Sequence, residues 1–194
     1  VESYEINVSS MIDLINLLDS EVCQQIIYFS TASILDKNNK PLPEARTLGT
    51  NYIRTKYQCY TQLQKLPVYE KIVTVFPTLV FGGEHNKPYS HLSGGINDVT
   101  KWIGLIRFFK IDGSFHYIHA KDIAQVIKYL IENPSLAITN KDIVLGNKKT
   151  TVNEAVETIC KYFNKRIYFR IPLSITLANM FIKIFQLRME AWDY

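Results

Sequence analysis

Apolar positions repeat at three and four residues from Asn7 to Ser20, with Met11, Leu14, Ile15 and Leu18 in phase, so the spacing predicts a helix whose apolar stripe needs a partner. Ser10 and Asp13 have the spacing of a capping pair at its start. Ile26 to Phe29 is short, wholly apolar and rich in strand formers, the pattern of a parallel strand covered on both faces, and it surfaces in Ser30, Thr31, Ala32 and Ser33. A polar loop with two prolines follows from Asp36 to Pro43. Thr50 to Leu66 predicts a second helix, with Ile53, Tyr57 and Tyr60 on one side and Tyr52, Lys56, Cys59 and Leu63 along the neighbouring row. Ile72 to Phe81 reads as a strand in which Pro77, lacking an N–H, belongs at an edge or near the end. Helix and strand alternate to this point, which predicts an α/β chain built on a doubly wound parallel sheet.

The pattern then loosens. Glu84 to Gly95 reads as a polar loop, followed by a helix near Asn97 to Phe109, a strand at Phe115 to Ile118, a helix at Lys121 to Ile131 and a strand at Asp142 to Leu145. Thr151 and Glu154 form a capping box for a helix to Phe163, Ile167 to Ile171 reads as a strand, and Pro172 opens a last helix. These changes divide the chain into residues 1–83 and a small mixed α/β region over 84–194 whose later elements return to the sheet.

Composition adds limits. Twenty-two Lys and Arg against 18 Asp and Glu are scattered without a basic cluster, which gives no case for nucleic acid. Cys23, Cys59 and Cys160 are odd in number and far apart, which suits a reducing cytoplasm better than a disulfide framework or a zinc site. The apolar stretch from Ile171 to Leu187 is interrupted by Asn179, Lys183 and Gln186 and reads as a packed helix, so no membrane span is expected. The start of the chain shows no basic region followed by an apolar core.

Tyr52 and Lys56 lie four apart, so on a helix both face the same way one turn from each other. A nearby ammonium favours the phenolate and so lowers the tyrosine pKa from its ordinary value of about 10, which suits proton exchange with a hydroxyl group. The spacing alone is weak, since Tyr117 and Lys121 share it. Its place is more telling: the pair opens a helix that follows a strand ending in hydroxyl side chains, and open sheets of this kind bind ligands at that edge. His116 and His119 do not make a metal site, because an offset of three in a strand points side chains to opposite faces. Lys87, His91 and Arg107 are weaker candidates for a phosphate or sugar partner.

Phe29-Ser30-Thr31-Ala32-Ser33-Ile34, Tyr52-x-x-x-Lys56, Phe76-Pro77-Thr78-Leu79-Val80-Phe81-Gly82, Phe115 to Ala124 and Asp142 to Asn147 occur in one order over most of the chain. This succession resembles the extended short-chain dehydrogenases, the nucleotide-sugar epimerases and dehydratases. The resemblance implies a partial Rossmann-like sheet over residues 1–83, a substrate-binding region over 84–194, NAD or NADP as cofactor and a nucleotide sugar or related hydroxy or carbonyl compound as substrate. It implies Thr31 as the hydroxyl that polarises substrate, with Ser33 the second choice, and Tyr52 as proton donor or acceptor. Lys56 would lower the Tyr52 pKa and hold the nicotinamide ribose, Asn7 would be the helix asparagine near the active site, and Pro77 and Thr78 would lie near the nicotinamide. A homodimer through helices 7–20 and 50–66 is also implied. Each residue has a plainer reading: Thr31 and Ser33 as strand-end hydroxyls bonded to backbone, Asn7 as a helix cap, Pro77 and Thr78 as the end of a strand.

The chain departs from that pattern in one respect. Its eight glycines contain no Gly-x-x-Gly-x-x-Gly triplet to cradle a pyrophosphate, and only 30 residues precede Thr31. The expectation is therefore a segment of a longer protein, with a non-catalytic nucleotide sensor or interaction module of the same fold as the alternative function.

Overall fold

The computed structural model describes residues 2–82, 91–135 and 141–174. Among the described residues the chain divides into two compact units, the first made of residues up to Thr78 and Lys121–Leu145, the second of Leu79–Ala120 and residues 146–174. The first division falls at 78/79, and the stretch 121–145 belongs with the first unit.

In the first unit, β1 (Ile26–Phe29), β2 (Ile72–Pro77) and β7 (Asp142–Leu145) form a parallel sheet in the order β1-β2-β7. Ile26 faces Ile72, and Thr74 faces Asp142. Every residue of β2 but Pro77 is buried, as a strand flanked on both sides requires. The covering expected on both faces of Ile26 to Phe29 is found on β2 instead. As an edge strand with one neighbour, β1 leaves Phe29 exposed and buries only Tyr28.

Helix α1 begins at Glu2 and runs to Asn16, earlier at both ends than the apolar repeat predicted, with a π-helical turn over Glu5–Ser9 between α-helical segments Glu2–Tyr4 and Ser10–Asn16. Ser10 therefore lies inside the helix, and its hydroxyl donates to the Glu5 carbonyl at 2.8 Å instead of capping. The buried stripe is Val8, Met11, Ile12 and Ile15, while Leu14 is exposed. Helix α2 (Asn51–Leu63) starts where its sequence says it should: the Thr50 hydroxyl accepts the Ile53 N–H at 3.3 Å. Just before it, Gly49 is fixed by close approach, since a Cβ there would lie 2.5 Å from Ile53 Cγ2. The helix buries Ile53 and Tyr60 against Ile34, Ala45 and Phe76, and Cys59 and Leu63 against Val8, Ile15, Tyr28 and Ile72.

The predicted strand from 72 to 81 is two strands. β2 ends at Pro77, and β3 (Leu79–Phe81) belongs to the second unit, where it pairs in parallel with β6 (Tyr117–His119). There the expected loop of 84–95 is helical from His91, in helix α3 (His91–Ile106), and the predicted strand at 115–118 is β5 (Ser114–Phe115) and then β6. Helix α4 (Ala120–Glu132) leads back to the first unit. Short pairings of β4 (Phe109–Lys110) with β9 (Ile171–Pro172) and of β5 with β8 (Thr150–Thr151) complete the second unit. The predicted strand from Ile167 shrinks to β9, because residues 165–169 make no ladder and Tyr168 and Phe169 stand exposed. Pro172 is in that strand and opens no helix, and the greasy stretch from residue 175 onward lies outside the described residues. Helix α5 (Val152–Tyr162) carries its capping box: the Thr151 hydroxyl accepts the Glu154 N–H at 3.1 Å, and the Glu154 carboxylate accepts the Thr151 N–H at 2.7 Å. Its Val156 and Cys160 pack on Ile103 of α3.

Phe76 is 1% exposed and meets the Tyr60 ring edge-on with centroids 5.4 Å apart, at the contact of β2 with α2. Phe76→Ala is expected to cost about 3–5 kcal/mol of stability, read from the shift in a urea unfolding midpoint. A cost below about 1 kcal/mol would mean that this contact does not seat α2 on the sheet.

Candidate active site

The site is built at the end of β1. Once the strand passes Ser30, whose N–H still donates to the Val75 carbonyl at 2.9 Å, the backbone turns into a short 3-10 segment at Ala32–Ile34. Thr31 caps that segment: its hydroxyl accepts the Ser33 N–H at 3.3 Å and donates to Ser33 Oγ at 3.2 Å. Thr31 is 9% exposed, while Ser33 is open to solvent.

Tyr52 is the second residue of α2 and is 49% exposed. Burial of its hydroxyl end raises the phenol above the ordinary tyrosine pKa, and a hydrogen bond with the Thr31 side chain acts in the opposite sense. Lys56, one turn along, sends its ammonium back to the end of β1, where Nζ donates to the Phe29 carbonyl at 2.9 Å. The same nitrogen stands 5.2 Å from the centroid of the Tyr28 ring and 6.0 Å from that of Tyr52, so the cation is held by a carbonyl and two ring faces. Burial lowers the Lys56 pKa, with the nearby Cys59 acting the other way. The expected lowering of the Tyr52 pKa by Lys56 is thus not what this arrangement produces, because the net shift of Tyr52 is upward and the lysine is engaged by the Phe29 carbonyl.

Asn7 is joined to the same helix. Its Nδ2 donates to Thr55 Oγ1 at 3.1 Å, which is a contact between helices and not the helix cap of the plainer reading. Thr78 is committed to β7: its N–H and its hydroxyl both donate to the Leu145 carbonyl, at 2.9 and 3.1 Å, while Pro77 faces Leu145 in the ladder. Arg107 belongs to the second unit, where it donates to the Arg166 carbonyl at 2.8 Å and lies over the Phe108 ring. His91 is the first residue of α3 and Lys87 lies outside the described residues. His116 Nδ1 donates to the Asn147 carbonyl at 2.8 Å. Among the described residues no group of three His, Cys, Asp or Glu side chains is close enough to hold a metal ion.

Three residues at the site carried no sequence signal. Thr55 is 6% exposed, and Ser30 Oγ and Tyr28 Oη are buried with no hydrogen-bond partner in acceptable geometry. For Tyr28 the neighbour is the Cys59 thiol, a weak partner, and burial drives its phenol pKa far upward. A buried hydroxyl left unpaired costs free energy, so Ser30 has capacity to spare at the strand end where Thr31, Tyr52 and Lys56 gather. A phenol, an ammonium and the Thr31 hydroxyl form a donor set that fits the ribose and carboxamide end of a nicotinamide cofactor.

The parallel sheet β1-β2-β7 with helices packed on it is that of a Rossmann-like α/β protein. Residues 1–146 match the family described as the NAD dependent epimerase/dehydratase family, and the chain belongs to it. No curated protein sequence matches the chain. Among solved structures, dTDP-glucose 4,6-dehydratase from Bacillus anthracis, in complex with NAD, is similar with a TM-score of 0.61 at 16% identity, over 87% of this chain and 56% of that one. A nucleoside-diphosphate-sugar epimerase from Pseudomonas aeruginosa gives 0.56 at 14% identity, over 94% and 61%. L-threonine dehydrogenase from Phytophthora infestans gives 0.61 at 13%, over 90% and 60%. The chain spans roughly half to three fifths of the length of these structures, and at such identities the likeness is one of fold.

The raised Tyr52 pKa has a defined sign. A phenol whose folded pKa lies above its unfolded value near 10 contributes stability that is present below that value and is lost as pH rises through the folded pKa. Ultraviolet titration of the protein minus that of Tyr52→Phe should show one phenol ionising above the ordinary tyrosine value. A phenol ionising below that value would contradict the buried setting described above.

Proposed function

We propose that the protein is an NAD(P)-dependent oxidoreductase of the epimerase or dehydratase kind, acting on a hydroxy or carbonyl compound for which a nucleotide sugar is the first candidate. The observation that carries this reading is the convergence of Thr31, Tyr52 and Lys56 at the end of β1, with the Tyr52 residue half-exposed. When bound, the nicotinamide accepts or returns hydride at a substrate carbon. The chain's own residues manage the proton and the orientation. Thr31 Oγ1 donates to the substrate oxygen and polarises it. Tyr52 Oη gives a proton to that oxygen in the reducing direction and takes it in the oxidising one, and its raised pKa makes the protonated phenol the resting form. Lys56 holds positive charge beside the phenol and donates to a ribose hydroxyl on release from the Phe29 carbonyl, while Ser30 Oγ offers a further hydroxyl near that end. Pro77 and Thr78, at the end of the adjacent strand, would border the nicotinamide, and Lys87, His91 and Arg107 remain the candidates for an anionic substrate group. The similar structures support the cofactor class, since those described with a bound cofactor hold NAD, NADP or NADPH. They also include enzymes named for sugar nucleotides and for an amino acid, so fold alone leaves the substrate to be chosen by experiment.

The same reading gives residues 1–83 to the cofactor and 84–194 to the substrate, a division along the sequence that does not coincide with the two compact units. A homodimer through α1 and α2 is supported by Ile6, Leu14 and Leu17, 60, 58 and 83% exposed, and by a cleft of about 340 Å³ on α2 that includes Tyr4, Tyr57 and Thr61. The three cysteines are free, which suits a reducing cytoplasm. Among the described residues no helix is long and apolar enough to cross a membrane.

Tyr52→Phe and Lys56→Met are each expected to lower turnover by about 10²–10⁴-fold. The assay follows nicotinamide absorbance against a panel of nucleotide sugars and small hydroxy compounds, and both variants should keep the melting temperature of the parent. If both variants turn over at the parental rate on a substrate the parent accepts, the Thr-Tyr-Lys reading is wrong.

A further inference from the structure

Thr55 lies between Tyr52 and Lys56 in the sequence but points elsewhere, into the contact of α1 with α2, where it is 6% exposed. Three hydrogen bonds meet at its hydroxyl. Thr55 Oγ1 accepts from Asn7 Nδ2 at 3.1 Å, and it shares its one proton between the carbonyls of Asn51 at 2.8 Å and Tyr52 at 3.0 Å. Both carbonyls belong to the first turn of α2, the turn that presents the Tyr52 side chain. A threonine hydroxyl bonded back to a carbonyl three or four residues earlier bends a helix locally, so this bond sets the pitch of that turn.

The other end of the link is unusual as well. Asn7 sits at the middle of the π-helical turn Glu5–Ser9, a form that is rare and that occurs mostly as single turns, frequently at functional sites. Val8, its neighbour, is fully buried in the core that also holds Cys59, so α1 cannot slide along α2 without breaking apolar packing. A part-buried amide-to-hydroxyl bond adds little net stability, and an apolar pair of the same shape would serve stability as well. What the polar pair adds is direction: it fixes how far the first turn of α2 is drawn toward α1.

We propose that Thr55 is a positioning residue for Tyr52, its hydroxyl being the joint through which the π-helical turn at Asn7 sets the turn of α2 that carries the phenol. The proposal rests on the reading of Tyr52 as the proton-transfer group. Its importance follows from geometry, since a misplacement of 1 Å at a reacting group costs on the order of 10²-fold in rate. Relaxing this turn should shift the Tyr52 phenol relative to the Thr31 side chain, whose effect opposes the upward shift that burial imposes.

The test reads Tyr52 directly and needs no substrate. In the intact protein labelled with 13Cζ-tyrosine, the Tyr52 resonance is assigned by its loss in Tyr52→Phe and followed through a pH titration. Thr55→Val, which removes the hydroxyl and keeps the shape, should move the Tyr52 titration to higher pH. Thr55→Ser should restore the parental curve, and Asn7→Ala should give a smaller shift in the same direction, which covers the case in which Thr55→Val fails to fold. An unchanged titration in a folded Thr55→Val or Asn7→Ala protein, or an equal shift in Thr55→Ser, would overturn the proposal, the last because it would assign the effect to the methyl group. Because the signal is the phenol itself, the result stands apart from the turnover of Tyr52→Phe, which tests the catalytic reading.

Discussion

Helix α2 cannot turn about its own axis, and the arrangement of the site follows from that. It is wedged on two sides: Ile53 and Tyr60 are fixed against Phe76 and Ile34, Cys59 and Leu63 against Val8, Tyr28 and Ile72. Tyr52 and Lys56 lie on the row that Cys59 and Leu63 fix further along the helix, so that row's first two turns are directed to the end of β1. The Thr50 cap and the close approach of Gly49 to Ile53 set where the helix begins, and hence how high on that edge the phenol stands.

The electrostatics follow from the same geometry. A lysine drawn over the strand end finds a carbonyl at Phe29 and the ring of Tyr28 beneath it, so its charge is met by dipoles and quadrupoles and not by a carboxylate. Partial burial moves both titrating groups toward their neutral forms, Tyr52 upward and Lys56 downward. A ligand that brings its own charge or hydroxyls to this edge would act on both groups at once. The unpaired hydroxyl of Ser30 lies within that same buried edge.

Much of the first unit was legible because its signals are local. The periodicity of α2, the threonine ahead of it and the apolar runs of β1 and β2 all depend on residues within a few positions of each other. The π-helical turn of α1 was not, since nothing in Glu5 to Ser9 distinguishes it from an ordinary turn and its partner, Thr55, is 48 residues from Asn7. That is why Ser10 looked like a cap and the apolar stripe was placed one position out of phase. The second unit was legible in its helices and illegible in its strands, because pairings of two or three residues such as β4 with β9 leave too short an alternation to read. Of the candidate site, the sequence order pointed to Thr31, Tyr52 and Lys56, while the direction of the Tyr52 shift required knowing where the lysine nitrogen goes.

The two units alternate along the polypeptide. Among the described residues the chain passes from one unit to the other at 78/79, 120/121 and 145/146. At the first of these, only Thr78 separates the last residue of β2 from the first of β3. No single cut of the polypeptide, whether by a protease, an exon boundary or a cloning design, releases either unit whole.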